Sequence, residues 1–122
     1  MNKIDKTIYD NFKPFPLQLT GWNGNKPIFR ELIEKIKPTT IIEVGTWKGQ
    51  SAITMGNAVR EFGLNTTIHC VDTWLGAIEF WTTGKNTSER NLSTINGYPQ
   101  VYYQFLSNVV HNNLQDIIYS IY

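Results

Sequence analysis

The sequence predicts an α/β domain built around a short parallel sheet. Two observations lead there. Apolar residues take helical and then extended spacing in turn along the chain, giving helix, strand, helix, strand, helix, strand. Such alternation implies right-handed crossovers and a parallel sheet with helices on both faces. The chain also reads Thr39-Thr40-Ile41-Ile42-Glu43-Val44-Gly45-Thr46-Trp47-Lys48-Gly49-Gln50-Ser51, a strand, a glycine-bearing turn and a helix start. Further on stands Thr67-Ile68-His69-Cys70-Val71-Asp72, a short strand that ends on an acid. At 122 residues and 41 % apolar content the chain makes one domain with a real core.

Residues 1–25 read as an irregular leader, with Pro14 and Pro16 flanking Phe15 and a turn at Gly21-Trp22-Asn23-Gly24. Residues 26–122 read as the domain. A first helix opens at Pro27, a residue suited to a first helical position. It places Ile28, Phe29, Leu32, Ile33 and Ile36 on one face and ends before Pro38. The strand Thr40–Val44 is rich in β-branched residues, the pattern of a strand buried on both faces. A helix from about Gln50 to Phe62 buries Ala52, Met55, Val59 and Phe62, with Gly63 as its C-cap. The second strand covers Thr67–Val71. Trp74, Leu75, Ile78, Phe80 and Trp81 fit a short packed turn or helix, and the polar stretch Thr82–Gly97 fits a loop. A third helix opens near Pro99, with Val101, Tyr102, Phe105, Leu106, Val109 and Val110 as its apolar stripe. The last strand covers Ile117–Tyr122.

The turn after the first strand carries the chemistry. Gly45 lets the chain leave the strand tightly, and Gly49 removes a Cβ where backbone or ligand approaches. The helix that follows presents free N–H groups and a partial positive charge, favourable to a carboxylate or phosphate. An ordinary strand-to-helix turn also favours glycine, so this spacing alone is weak evidence. Asp72 strengthens it. It lies 23 residues past Gly49, near the offset of about 20 at which an acid accepts hydrogen bonds from ribose hydroxyls. An aspartate in that place also caps turns. The dinucleotide fingerprint is not met, because Trp47 stands where a glycine is wanted and its indole obstructs a pyrophosphate. A cofactor without phosphates and with a carboxylate of its own fits better. S-adenosylmethionine has ribose hydroxyls for Asp72 and an amino-acid end for the turn and Glu43.

Composition narrows the function classes. Net charge is +1 with 17 % charged residues and no basic run, which leaves no electrostatic footprint for nucleic acid or an acidic membrane surface. Cys70 is the single cysteine, so a disulfide within the chain is excluded; in an apolar strand it reads as a small buried hydrophobe. No apolar stretch of signal-peptide or membrane-spanning length is seen, and a cytoplasmic location is expected. The sequons at Asn65, Asn86 and Asn91 read as chance. His69 and His111 have no partner placed for a triad, and Glu79, Glu89 and Asp116 show no pairing logic. No metal-ligand spacing occurs. Trp22, Trp47, Trp74 and Trp81 fit an aromatic wall over a ligand, and fit core filling almost as well.

Glu43-Val44-Gly45-Thr46-Trp47-Lys48-Gly49-Gln50-Ser51, followed by Val71-Asp72-Thr73-Trp74-Leu75-Gly76, resembles the class I S-adenosylmethionine-dependent methyltransferases. The resemblance is closer to the branch with Glu-Val-Gly-Thr-x-x-Gly-x-Ser turns, which includes many small-molecule and sugar O-methyltransferases. It implies a Rossmann-like, three-layer half-domain with strand order 3-2-1 and flanking helices. It implies that Glu43, Gly45 and Gly49 line the methionine end of the cofactor, that Asp72 holds the ribose, and that Thr73 and Trp74 lie beside ribose and adenine. Thr46, Trp47 and Ser51 of the same turn join the cofactor-binding set. The Phe15-Pro16 and Gly21-Trp22 stretch resembles the leader that lies near substrate in these proteins.

The family's sheet carries further strands, and the acidic motif that ends its fourth is not matched here. No catalytic residue is therefore assigned, and the isolated chain is expected to be inactive. An expected reaction is methyl transfer from S-adenosylmethionine to a small-molecule acceptor. The alternatives are a non-catalytic cofactor-binding or protein-interaction module, and a nicotinamide cofactor on the same scaffold, against which Trp47 argues. The unprotected edge of Thr40–Val44 is expected to pair with a second copy in a homodimer, or with a partner chain.

Overall fold

A computed structural model of the protein describes residues 6–82 and 92–122. A single 3-10 turn at Thr7–Tyr9 is followed by α1 (Ile28–Ile36), β1 (Thr40–Val44), α2 (Gln50–Glu61), β2 (Thr67–Val71) and α3 (Ile78–Thr82). Then come β3 (Thr94–Ile95), β4 (Tyr98–Pro99), α4 (Val101–His111) and β5 (Ile118–Ile121). The sequons at Asn86 and Asn91, Glu89 and much of the expected 82–97 loop lie outside the described residues.

The helices end where their sequence requires. Pro27 caps α1, and Lys37 closes it in the left-handed region at φ 50°, its N–H donating to Ile33 O at 2.8 Å. Gly63 turns the chain out of α2 at φ 61°, while Leu64 N–H reaches back to Val59 O at 3.0 Å. This is how a left-handed residue satisfies the last carbonyls of a helix.

β1, β2 and β5 form one parallel sheet with β2 in the middle. Counting parallel strands along the chain, the order is 3-2-1, as the sequence implied. Strand pleating sends alternate residues to opposite faces. Ile68, Cys70 and Ile118 face the helices and are at most 2 % exposed, packed with Ala52, Val59, Phe105, Val109 and Leu114. α1 packs on α2 and adds Ile33 to the same core.

The other face is different. Ile42 is 69 % exposed, Val44 80 % and Ile121 41 %, and their neighbours His69, Val71 and Tyr119 are only half-buried. The expectation that β1 is buried on both faces is therefore corrected. Among the described residues β1 pairs only with β2 and no element covers its second face. Of the expected layers, the described residues supply the sheet and the helices on one side of it.

Two further features depart from the sequence reading. The described end of the expected loop holds a hairpin, β3 paired antiparallel to β4. Asn96 and Gly97 between them sit at φ 51° and 81°, the two positive angles that a tight hairpin turn requires. The leader is also part of the fold. Phe15 N–H donates to Ser107 Oγ at 2.9 Å, Gln104 Nε2 donates to Pro16 O at 2.9 Å, and His111 Nε2 lies 2.7 Å from Phe15 O. One polar face of α4 thus seats an extended segment of the leader. His111 thus contacts the leader, and His69 stacks on Tyr119 with centroids 5.1 Å apart. Asp116 pairs with Arg60 at 3.0 Å. Among the described residues no helix is long and apolar enough to cross a membrane.

Candidate functional site

The turn between β1 and α2 opens onto a cavity of about 510 Å³, within the range of small-ligand sites. Gly45, Thr46, Trp47, Gln50 and Ser51 form one wall. Leu19, Thr20, Gly21, Trp22 and Gly24 of the leader form a second. Ala77, Glu79 and Phe80 complete it.

The two turn glycines serve different ends. Gly45 has φ 83°, and a Cβ built there meets nothing within 4 Å. Backbone conformation demands glycine at this point, and the space before it is open. Gly49, at φ 87°, is buried, and a Cβ there would lie 2.8 Å from Phe105 Cδ2. Its missing side chain makes room for the Phe105 ring of α4.

Trp47 holds φ 55° and Trp74 φ 58°, a region that bulky residues rarely adopt. One carboxylate secures both. Asp72 Oδ2 accepts the Trp47 backbone N–H at 2.8 Å, and Oδ1 accepts the Trp74 backbone N–H at 2.8 Å. Each oxygen keeps a further lone pair. The Trp47 indole lies 5.1 Å from the Phe80 ring, with Lys48 Nζ 5.2 Å from its own centroid.

Behind the turn, Ser51 Oγ donates to Glu43 Oε1, and Cys70 Sγ lies 3.7 Å from Glu43 Oε2. Burial pushes the Glu43 carboxyl above the usual carboxylate range; its hydrogen bonds oppose this and the nearby Asp72 charge adds to it. Burial, with the Glu43 charge, pushes the Cys70 thiol up as well. Lys48 is 5 % exposed, and desolvation pulls its pKa down. Thr46 Oγ1 is buried beside Glu43 and Cys70, and the buried Thr20 Oγ1 makes no hydrogen bond among the described residues.

The residues expected at the site divide three ways. Gly45, Thr46, Trp47 and Ser51 line the cavity. Glu43 and Asp72 stand one hydrogen bond behind it, through Ser51 and Trp47. Gly49, Thr73 and Trp74 do not line it. The Trp74 indole, 4 % exposed, packs in the core with its centroid 4.7 Å from Phe105 and 5.1 Å from Tyr102. Thr73 is exposed and its Oγ1 accepts the Leu75 N–H at 3.4 Å. Of the four tryptophans, Trp22 and Trp47 line the cavity, and Trp81 donates from Nε1 to Leu75 O at 2.9 Å. Leu19, Thr20, Gly24, Gln50, Ala77, Glu79 and Phe80 were not singled out for the site by the sequence reading. Only the Gly21-Trp22 turn signalled that the leader comes near.

Among the described residues no group of three His, Cys, Asp or Glu side chains is placed to hold a metal ion. Comparison with curated proteins returns no match. A family model described as a methyltransferase domain matches residues 42–120, from within β1 through the turn, Asp72 and α4 into β5. With most of the sequence matched and the parallel α/β architecture in place, the chain belongs to this methyltransferase-domain family.

Proposed function

We propose that the protein binds S-adenosylmethionine in this cavity and serves methyl transfer to a small-molecule acceptor. The observation that carries the reading is the β1–α2 turn as a cavity wall, with the carboxylates of Glu43 and Asp72 directly behind it. The residues fit such a ligand. Space is open in front of Gly45, and among the described residues the buried Thr20 Oγ1 at the cavity wall makes no hydrogen bond. Buried polar groups ordinarily find one.

When bound, the cofactor supplies an electrophilic methyl group. The chain's own residues bind and orient. The first N–H groups of α2 suit a carboxylate, the Glu43 carboxyl suits an amine, and the free lone pairs of Asp72 suit ribose hydroxyls. Because Asp72 already fixes the turn, the wall is ordered before ligand arrives, and order of that kind is what placement-based catalysis needs.

The test is calorimetry with S-adenosylhomocysteine. Binding is expected, and Asp72→Ala is expected to weaken it by about tenfold or more. No heat at millimolar ligand, or binding indifferent to Asp72→Ala, would rule the site out. A second reading rests on the exposed face and edge of β1: a cofactor-binding module that acts only when paired with a second copy or a partner chain. Methyl transfer by the purified chain to any small acceptor separates the two.

A further inference from the structure

We propose that Asn108 is a positioning residue of the cavity, holding the leader wall against the β1–α2 turn and thereby setting ligand affinity without lining the site. The proposal rests on the cofactor reading above for its ligand, and on hydrogen-bond geometry for the rest. Asn108 lies on α4 and is fully buried. Its Nδ2 donates to Gln18 O and to Lys48 O, each at 2.8 Å. Its Oδ1 accepts from the Gln18 backbone N–H and from Gln104 Nε2, each at 3.0 Å. An asparagine amide has two donor hydrogens and two acceptor lone pairs, and all four are used. The network also fixes which end is which, because a flipped amide would set N–H against N–H and oxygen against two carbonyls.

These bonds close a ring across the two walls. Gln18 Oε1 accepts from Lys48 Nζ at 2.7 Å, so Asn108, Gln18 and Lys48 are joined both through side chains and through backbone. On the cavity side of this ring, Gln50 Nε2 donates to Leu19 O at 3.0 Å. The leader turns from Gln18 straight into the lining residues Leu19–Trp22, and Lys48 directly follows the lining residue Trp47. Asn108 spans the two. A residue needed only to fill the α4 interface has no use for this pattern. An apolar side chain of similar volume would fill that space without a desolvated amide, whereas three of the four Asn108 bonds go to backbone groups flanking the cavity.

The test uses Asn108→Asp, which keeps shape and acceptors but loses both donors and turns an oxygen on two carbonyls. Amide hydrogen exchange is followed across residues 18–22, α4 and the sheet, and S-adenosylhomocysteine affinity is measured alongside. Exchange at 18–22 is expected to speed up by about tenfold or more while β2 and β5 keep their protection, and the affinity is expected to fall by a comparable factor. Unchanged leader exchange in a folded variant overturns the proposal, and so does faster leader exchange with unchanged affinity. If the variant does not fold, the wild-type protein decides: the Gln18 amide must exchange as slowly as the interior amides of α4, and exchange at a free-peptide rate overturns the proposal. If the wild-type protein binds no S-adenosylhomocysteine, the cofactor reading fails by itself, and unchanged exchange at 18–22 would be needed to refute the hold of Asn108 on the wall.

Discussion

Asp72 Oδ2 and the backbone N–H of Trp47 meet at 2.8 Å across 25 positions of sequence. The acid that ends β2 therefore stabilises the strained turn that follows β1. Removing the carboxylate by Asp72→Ala leaves the N–H groups of both Trp47 and Trp74 without their acceptor. A loss of about 1–3 kcal/mol in unfolding free energy is expected. Asp72→Asn keeps one acceptor oxygen but sets its NH2 against the other backbone N–H, so it should recover only a small part of that loss. Chemical denaturation followed by circular dichroism measures both, and an unshifted midpoint in Asp72→Ala contradicts the clamp.

Gly45 and Gly49 share a backbone conformation but not an environment, so their alanine variants should differ. Gly45→Ala carries only the strain of a left-handed residue, about 1–2 kcal/mol. Gly49→Ala adds the collision with Phe105 and should cost a further ~1–3 kcal/mol. Adding Phe105→Leu to Gly49→Ala should recover part of that second increment and none in Gly45→Ala. Equal denaturation midpoints for the two single variants would contradict this division.

The raised pKa of Glu43 gives stability a definite slope with pH. Between the ordinary glutamate value of 4.5 and the higher native value, the folded protein holds a proton that the unfolded chain has released. Folding is favoured most at the acid side of that window and loses stability as pH rises through it. Glu43→Gln removes the titration, so the variant should gain on wild type from pH 4.5 toward neutrality. Ser51→Ala, which deletes a hydrogen bond to the charged form, should extend the falling limb to higher pH. Parallel stability curves for wild type and Glu43→Gln would rule out the assignment.

The bare edge and face of β1 lead us to propose self-association or pairing with a partner. Sedimentation at micromolar concentration should give a mass above that of a 14.0 kDa monomer. Val44→Lys, which sets a charge on the exposed face beside the edge, should shift the distribution toward monomer, since charge is how natural edge strands avoid pairing. A wild-type monomer with rapidly exchanging β1 amides would refute it.

The elements legible in the sequence were those with a period. α1, α2, α4 and the three parallel strands announce themselves through apolar spacing, and Gly45, Gly49 and Asp72 through position. β3 and β4 are two residues each, too short to show alternation, although Asn96-Gly97 was itself a hairpin signal. For Trp74 the sequence leaves a place beside the ribose and core filling both open, because an aromatic beside a ribose acid and an aromatic in a core look alike in one dimension. Ser107 and Asn108 fall beside the apolar stripe of α4, where a sequence reader assigns solvent. Their leader partners, Phe15 and Gln18, sit 90 or more positions away, a relation that no local pattern carries.

That distance has a consequence for the order of events in folding. Phe15 and Gln18 are made early and find their partners only once α4 exists. Closing a loop of that size carries an entropy cost that local helices do not face. On a growing chain, synthesised at roughly 5–20 residues per second, the leader emerges seconds before its seat. β1, α2 and β2 draw on nearer neighbours, so the cavity is expected to gain its second wall late. If the cavity binds the proposed cofactor, that competence is expected to arrive late, once α4 has formed and seated the leader.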